Sequence, residues 1–382
     1  MTQEKQNGPG ENEEGRFRRD LDVRYDAMAL DPTKTLSIVV VGKVSTGKSS
    51  LINALLRRTR ANRVMEVGAP SGVTERMKAV QLDEITRIID SPGLDDVLEE
   101  HNERARDALF AADVGILVLT GSADASQRRH FEDLTRVCRA VFVVLNKIDE
   151  WDRYAPSALS NVIEQWKQAL GVDTVFPTCT FGYDPETRAG TELDLRGIDE
   201  LRAAIEVFLD KEGKAILLAR HMGEKRAHAQ KIVLAAVAAT AAEAFVPGSA
   251  AYIAATQATA ITALYYLYTG RILSKASALA LLPVFAAEAI GTNLFLFAKS
   301  FLPPTGIVDV AAASVAASVT AAMLLAVNSL LASGHELHES ERLQAQFRGF
   351  RATISSSVRG ASKADLISAN YWRRILRDLM YA

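Results

Sequence analysis

Charge is nearly missing from one long stretch of this chain. Between Ile232 and Gly334 only Glu243, Arg271, Lys275, Glu288, Lys299 and Asp309 carry it, although Asp, Glu, Lys and Arg make up 24% of the 382 residues. Such a segment is a different kind of polypeptide from its flanks and must pack against itself or against lipid. Cysteine is scarce as well. Cys138 and Cys179 alone exclude a disulfide framework and a cysteine metal cage, so a reducing, cytoplasmic-facing compartment is the default. The first residues carry no signal-peptide pattern. Apolar residues are rare in "MTQEKQNGPGENEEGRFRRDLD", and residues 1–33 are expected to form a disordered polar tail.

What is present divides the rest. From Thr35 short β-branched runs alternate with helical patterns, the signature of a mostly parallel sheet with helices on both faces. Strands are expected over Leu36–Val41, Met77–Leu82, Ile85–Asp90, Val114–Leu119, Val141–Asn146 and Val175–Thr178. Helices are expected over Lys48–Arg58, Leu98–Ala112, Gln127–Arg139, Pro156–Leu170 and Ile198–Leu209. The fold class is therefore an α/β domain over 34–210, followed by a basic linker helix (211–231), an all-α hydrophobic domain (232–334) and a polar, basic helical tail (335–382).

Chemistry concentrates in the first domain. Gly42, Gly47, Lys48 and Ser49 fit G-x-x-x-x-G-K-S between a strand and a helix. Backbone amides of such a loop curl around a β-phosphate, and the helix that follows offers its positive N-terminus. Lys43, Ser45, Thr46, Gly47, Lys48, Ser49 and Ser50 are the candidate phosphate contacts; Lys48 neutralises the β and γ phosphates and Ser49 ligates Mg²⁺.

The base is read elsewhere. In "VVLNKID", Asn146, Lys147 and Asp149 follow an apolar strand, and a carboxylate at Asp149 can accept from N1–H and the exocyclic amine of guanine, a pair that adenine lacks. In "PTCTFG" Thr178 and Cys179 open a loop expected to touch the guanine carbonyl through backbone NH, with Cys179 as the donor. "IIDSPGLDD" places Asp90 to hold Mg²⁺ through water and the Gly93 amide to bond a γ-phosphate, while Thr74 in "SGVTE" is the first candidate for a second hydroxyl on the metal, ahead of the nearby Ser71 and Thr86. The catalytic set is Lys48, Thr74 and Gly93, and the metal set Ser49, Thr74 and Asp90.

Taken together, Gly42–Ser49, Thr74, Asp90–Gly93 and Asn146–Asp149 resemble the four conserved boxes of translation-factor-class GTPases of the P-loop type. "DSPG", "NKID" and "GIDELRAAI" bring the likeness nearest to the Era and TrmE type, over Thr35 to about Asp210. The resemblance implies a P-loop fold, GTP and GDP as ligands and Mg²⁺-dependent hydrolysis. Two departures matter. Leu94 stands where Ras-like enzymes carry a water-orienting glutamine, which implies slow intrinsic turnover or a catalytic group supplied in trans. Ser45 stands where Era- and TrmE-like loops usually have an asparagine implicated in potassium binding, which puts potassium activation in doubt.

The hydrophobic half, through "FVPGSAAYIAATQATAITALYYLYTG", "FLPPTGIVD" and "AAASVAASVTAAMLLAV", resembles a hydrophobic helical domain that follows the GTPase domain in many bacterial proteins. Val246–Tyr268 and Val310–Leu331 are long enough to span a bilayer, but they are rich in Ala, Ser and Thr, and Glu243, Glu288 and Asp309 lie in or beside the apolar stretches. A soluble or peripherally attached helical bundle is the first reading and a membrane hairpin or spanning domain the second. The basic linker and Arg373, Arg374 and Arg377 suit an anionic membrane surface at the inner face of the cytoplasmic membrane. The expected function is a slow GTPase acting as a nucleotide switch on the helical domain, as a homodimer or a nucleotide-dependent oligomer. The alternative is a dynamin-like membrane scaffold. An RNA- or ribosome-associated role like that of Era finds no nucleic-acid-binding module in the sequence.

Overall fold

The computed structural model describes residues 13–65, 67, 78–91, 112–183, 187, 190–246, 249–286 and 307–381. Thr74, Gly93 and Leu94, and the helix expected from Leu98 up to residue 111, lie outside the described residues. The chain divides into two compact units, Thr33–Glu224, and Met1–Pro32 with Lys225–Ala382.

The first unit is built on a six-stranded sheet in the order β2-β3-β1-β4-β5-β6. Its strands are β1 (Leu36–Val41), β2 (Lys78–Gln81), β3 (Thr86–Ser91), β4 (Ala112–Leu119), β5 (Cys138–Leu145) and β6 (Phe176–Pro177). All neighbours are parallel except β2, which runs antiparallel to β3 at the edge. The run "LSIVVV" of β1 is buried along its whole length, as a central strand covered on both faces must be. Val39 and Val41 pack with Leu117, Leu145 and Trp166 of helix α4 (Pro156–Leu170). Ile38 and Val40 face the other way, toward Ile52 of α2 (Lys48–Leu55), Ile205 of α5 (Ile198–Lys211) and Leu218 of α6 (Ala215–Ala219). Helix α3 (Ala125–Val137) packs on β4 and β5. This pleat carries β1 straight into the loop at Gly42.

Two expectations are corrected here. The polar tail holds a helix, α1 (Glu13–Met28), in its described part. Its charged sequence buries only Leu21 and Tyr25 deeply, one turn apart on a single face, and charge pairs supply the rest: Arg24 to Glu243 at 3.1 Å, and Lys275 to Asp22 at 2.5 Å and to Asp26 at 3.2 Å. The basic linker is not one helix either. α5 runs on to Lys211, α6 follows, and the next helix starts only at Arg226.

The second unit combines α1 with α7 (Arg226–Glu243), α8 (Ala250–Thr269), α9 (Lys275–Ala286), α10 (Ile307–Ala332), α11 (Ser340–Ser357), α12 (Lys363–Leu366) and α13 (Ala369–Tyr381). α10 packs against α7, α8 and α11, and α1 against α8. Among the described helices only Val310–Ala332 of α10 is long and apolar enough to cross a membrane, and 78% of its most apolar window is buried by the protein. Glu243 is half-enclosed by partners rather than stranded: Thr256 donates at 2.9 Å and Arg24 at 3.1 Å. Burial raises the Glu243 pKa above the ordinary value while those two donors oppose the rise.

Candidate functional site

The loop after β1 is shaped by its backbone. Ser45 sits at φ 67° and Gly47 at φ 87°, and a side chain at Gly47 would meet Asn146 Nδ2 at 2.4 Å. Only glycine meets both demands there. A non-glycine residue in the left-handed region, such as Ser45, is uncommon and marks a loop held by its surroundings. Thr46 closes the bend, its amide and hydroxyl donating to Lys43 O at 3.3 and 2.9 Å. Lys48 tucks beneath the loop and donates to Gly42 O at 2.8 Å and Lys43 O at 3.1 Å. Its burial lowers the ammonium pKa, and the nearby Asp90 carboxylate works against that shift. Lys43 itself is turned outward and pairs with Asp124.

The parallel register of β1 with β3 sets Val40 opposite Asp90. That brings the Asp90 carboxylate to the first turn of α2, where Ser49 Oγ donates to Asp90 Oδ2 at 3.0 Å. A hydroxyl and a carboxylate so placed are hard oxygen donors of the kind Mg²⁺ takes beside phosphate oxygens and water. Ser50 points into the protein and is buried.

Asn146 at the end of β5 holds two loops together. Its Nδ2 donates to Thr46 O at 2.9 Å and to Thr180 Oγ1 at 3.1 Å, and its Oδ1 accepts from Thr178 Oγ1 at 3.1 Å. Lys147 turns the chain in a left-handed conformation, φ 61°, and Ile148 N donates to Thr178 O at 3.1 Å. Asp149 is half-buried, and Cys179 Sγ donates to its Oδ1 at 3.3 Å. The thiol is completely buried, and that burial, with Asp149 adding to it, pushes its pKa up to about 12. It therefore keeps its proton and can donate.

One expectation fails at this loop. The Cys179 amide, expected to face the guanine carbonyl, donates to Arg196 O at 2.9 Å. The Thr178 amide is also taken, by Leu145 O at 2.8 Å. Among the described residues no carbonyl accepts from the amide of Thr180, the next residue along the loop. Sequence reasoning missed Thr180 and the Lys43 partner Asp124. Thr180 was readable as the second hydroxyl of "PTCTFG", whereas nothing local to Asp124 points to Lys43.

Residues 37–147 match the profile of a family described as "50S ribosome-binding GTPase". The first unit is a P-loop GTPase domain. The GTPase domain is similar to GTPase Der of Nautilia profundicola, 26% identical over 186 residues that cover 47% of this chain and 36% of the relative. It is also similar to tRNA modification GTPase MnmE of Alkaliphilus oremlandii, 32% identical over 143 residues, 35% of this chain and 29% of that one. The MnmE of Syntrophotalea carbinolica is 36% identical over 122 residues, 30% and 26% of the two chains. The chain thus spans about a third of the length of the curated relatives it matches.

Proposed function

We propose that the protein binds GTP and GDP in preference to adenine nucleotides, hydrolyses GTP slowly, and uses the nucleotide state to control its helical unit at an anionic membrane surface on the cytoplasmic side. The observation that carries this reading is the Asp149 carboxylate, oriented by the Cys179 thiol and set beside a phosphate loop that Asn146 ties to the same base-binding segment. The Thr180 amide takes the place expected for Cys179 and donates to the guanine carbonyl. Ser49 and Asp90 would hold Mg²⁺, with Thr74 as its third protein contact, and the ion would offset phosphate charge. Lys48 lies at the loop centre, where it meets the β and γ phosphates. Hydrolysis is slow because Leu94, after Gly93, has no group to orient water. With Ser45 in the loop, turnover is expected to be indifferent to potassium.

Competition for fluorescent GDP tests the base assignment: GTP displaces it and ATP does not, and equal displacement by ADP and GDP would sink the proposal. A second measurement addresses Cys179. Cys179→Ala removes the donor to Asp149 Oδ1 and is expected to weaken GDP binding about tenfold, which is roughly 1.4 kcal/mol and close to the lower end for a hydrogen bond to a charged group, as suits a weak thiol donor. Cys179→Ser restores it, and full affinity in the alanine variant would remove the thiol from the base site.

The scaffold reading has its own observation. Segments from both sides of the GTPase domain, α1 and the chain from Lys225 onward, make up one helical unit, so both ends of the domain are anchored in it. A membrane scaffold would sediment with anionic vesicles and assemble only with GTP. Vesicle binding without assembly in any nucleotide state leaves the switch and removes the scaffold.

A further inference from the structure

The segment that leaves the GTPase domain, Arg220–Glu224, is gripped at two places, neither of them in the nucleotide site itself. The first is the hairpin β2–β3. In the sequence this hairpin follows the segment that contains Thr74 and carries Asp90 near the end of its second strand, with Lys78 opposite Asp90 and Gln81 opposite Arg87. At its tip Asp83 Oδ1 accepts from the amides of Ile85 and Thr86 at 3.0 and 2.7 Å. Its other oxygen, Oδ2, lies 3.0 Å from both Arg220 Nη1 and His221 Nε2. Burial disfavours the charge on Asp83, but the Ile85 amide, His221, the Thr86 amide and Arg220 outweigh it, so the carboxyl stays below its ordinary pKa.

The second grip is the far end of α2, the helix that begins at the phosphate loop. Leu56 O accepts from the Gly223 amide at 2.9 Å. The approach is so close that a Cβ on Gly223 would stand 2.3 Å from Arg57 O. Arg57 is forced to φ 49° and sends its guanidinium to Glu224 at 2.8 Å, while Arg58 Nη2 donates to His221 O at 2.6 Å. Arg202 of α5 fixes the same helix end by donating to Ala54 O and Leu55 O at 2.9 and 3.0 Å. One grip is thus fixed to the end of a helix, and the other hangs on a hairpin at the sheet edge whose two flanking segments in the sequence are those expected to bond the γ-phosphate and Mg²⁺.

We propose that Arg220–Glu224 is the transmission element of the switch. Movement of the hairpin on loss of the γ-phosphate passes through Asp83 to Arg220 and His221, while Gly223 on the end of α2 serves as the pivot, and the next residue, Lys225, opens the helical unit. This rests on the nucleotide-switch reading above. A hairpin tip far along the strands from Asp90 has no reason of its own to bond the exit segment through a half-buried carboxylate. A route for coupling needs a contiguous element with two arrangements that both ends can bias, and this hairpin joins the sensing loops to the exit.

Hydrogen exchange on the full chain tests it, with GDP and with guanosine 5′-[β,γ-imido]triphosphate. Amides of residues 216–226 are expected to exchange at rates that differ about tenfold or more between the two nucleotides in the native protein. Asp83→Ala abolishes that difference and leaves GDP affinity unchanged. Asp83→Asn keeps the acceptor for the Ile85 and Thr86 amides and serves if the alanine variant melts early; it is expected to reduce the difference severalfold. The proposal is overturned if either variant keeps the native difference, or if the native protein binds both nucleotides and shows none. Failure to bind guanine nucleotides at all would overturn the switch reading itself, and fluorescent GDP titration separates that outcome from the others.

Discussion

Asp149→Asn is expected to weaken GDP binding by at least about a hundredfold and to turn the preference toward xanthosine diphosphate. On the proposed reading the native carboxylate would accept two hydrogen bonds from guanine, each worth about 1.5 to 3 kcal/mol when one partner is charged. An asparagine offers one oxygen and one NH₂, so its nitrogen faces the exocyclic amine of guanine donor to donor. Xanthine carries a carbonyl at that carbon, which accepts from the amide. The fold should tolerate the change, because Cys179 Sγ can still donate to the remaining oxygen from its present 3.3 Å position. Titrations with fluorescent GDP and xanthosine diphosphate read the effect, and unaltered GDP affinity would mean that the base lies elsewhere.

Elements with local signals were legible in the sequence. α4 spans Pro156–Leu170 as expected, because proline opens it and Gly171 closes it in the left-handed conformation. β1 likewise keeps its bounds, since an unbroken apolar run can hardly be read otherwise. The misses share one cause, contacts made across long stretches of sequence. α2 was expected to reach Arg58 but ends at Leu55, and the turn that stops it is held by Gly223, Glu224 and Arg202. α1 looked like solvated tail because its stabilising partners, Glu243, Thr262 and Lys275, lie more than two hundred residues away.

The site divides along the same line. Phosphate-loop, Asn146 and Asp149 positions follow from spacing, since the strand-loop-helix geometry places them wherever the strands pair in parallel. The Cys179 assignment to an amide role did not survive, because Arg196 O takes that amide, and only the folded loop reveals that the thiol is the group turned toward Asp149. Thr180 escaped for the same reason. Its partner Asn146 is 34 residues away in the chain.

Asn146→Ala should therefore damage both stability and binding, and in a way that separates it from Asp149→Asn. Asn146 is 1% exposed, and its loss strands the Thr46 carbonyl and the Thr178 and Thr180 hydroxyls in the interior. Each buried polar group left without a partner costs about 1 to 3 kcal/mol, part of it recoverable if water enters the gap. A net loss of about 3 kcal/mol would lower the melting temperature of a domain this size by about 6 to 12 °C. Binding falls further than stability accounts for, by about a hundredfold or more, because the phosphate loop and the base loop lose a side chain that ties them together. Gly47→Ala is the complementary lesion: its methyl would stand 2.4 Å from Asn146 Nδ2, inside contact distance, and push the amide off both loops. If Asn146→Ala and Gly47→Ala each abolish GDP binding and the double variant is no less stable than the worse single one, the two residues act through one contact. Additive losses in melting temperature would mean that Gly47 matters only for its φ of 87° and that Asn146 acts on the base loop alone.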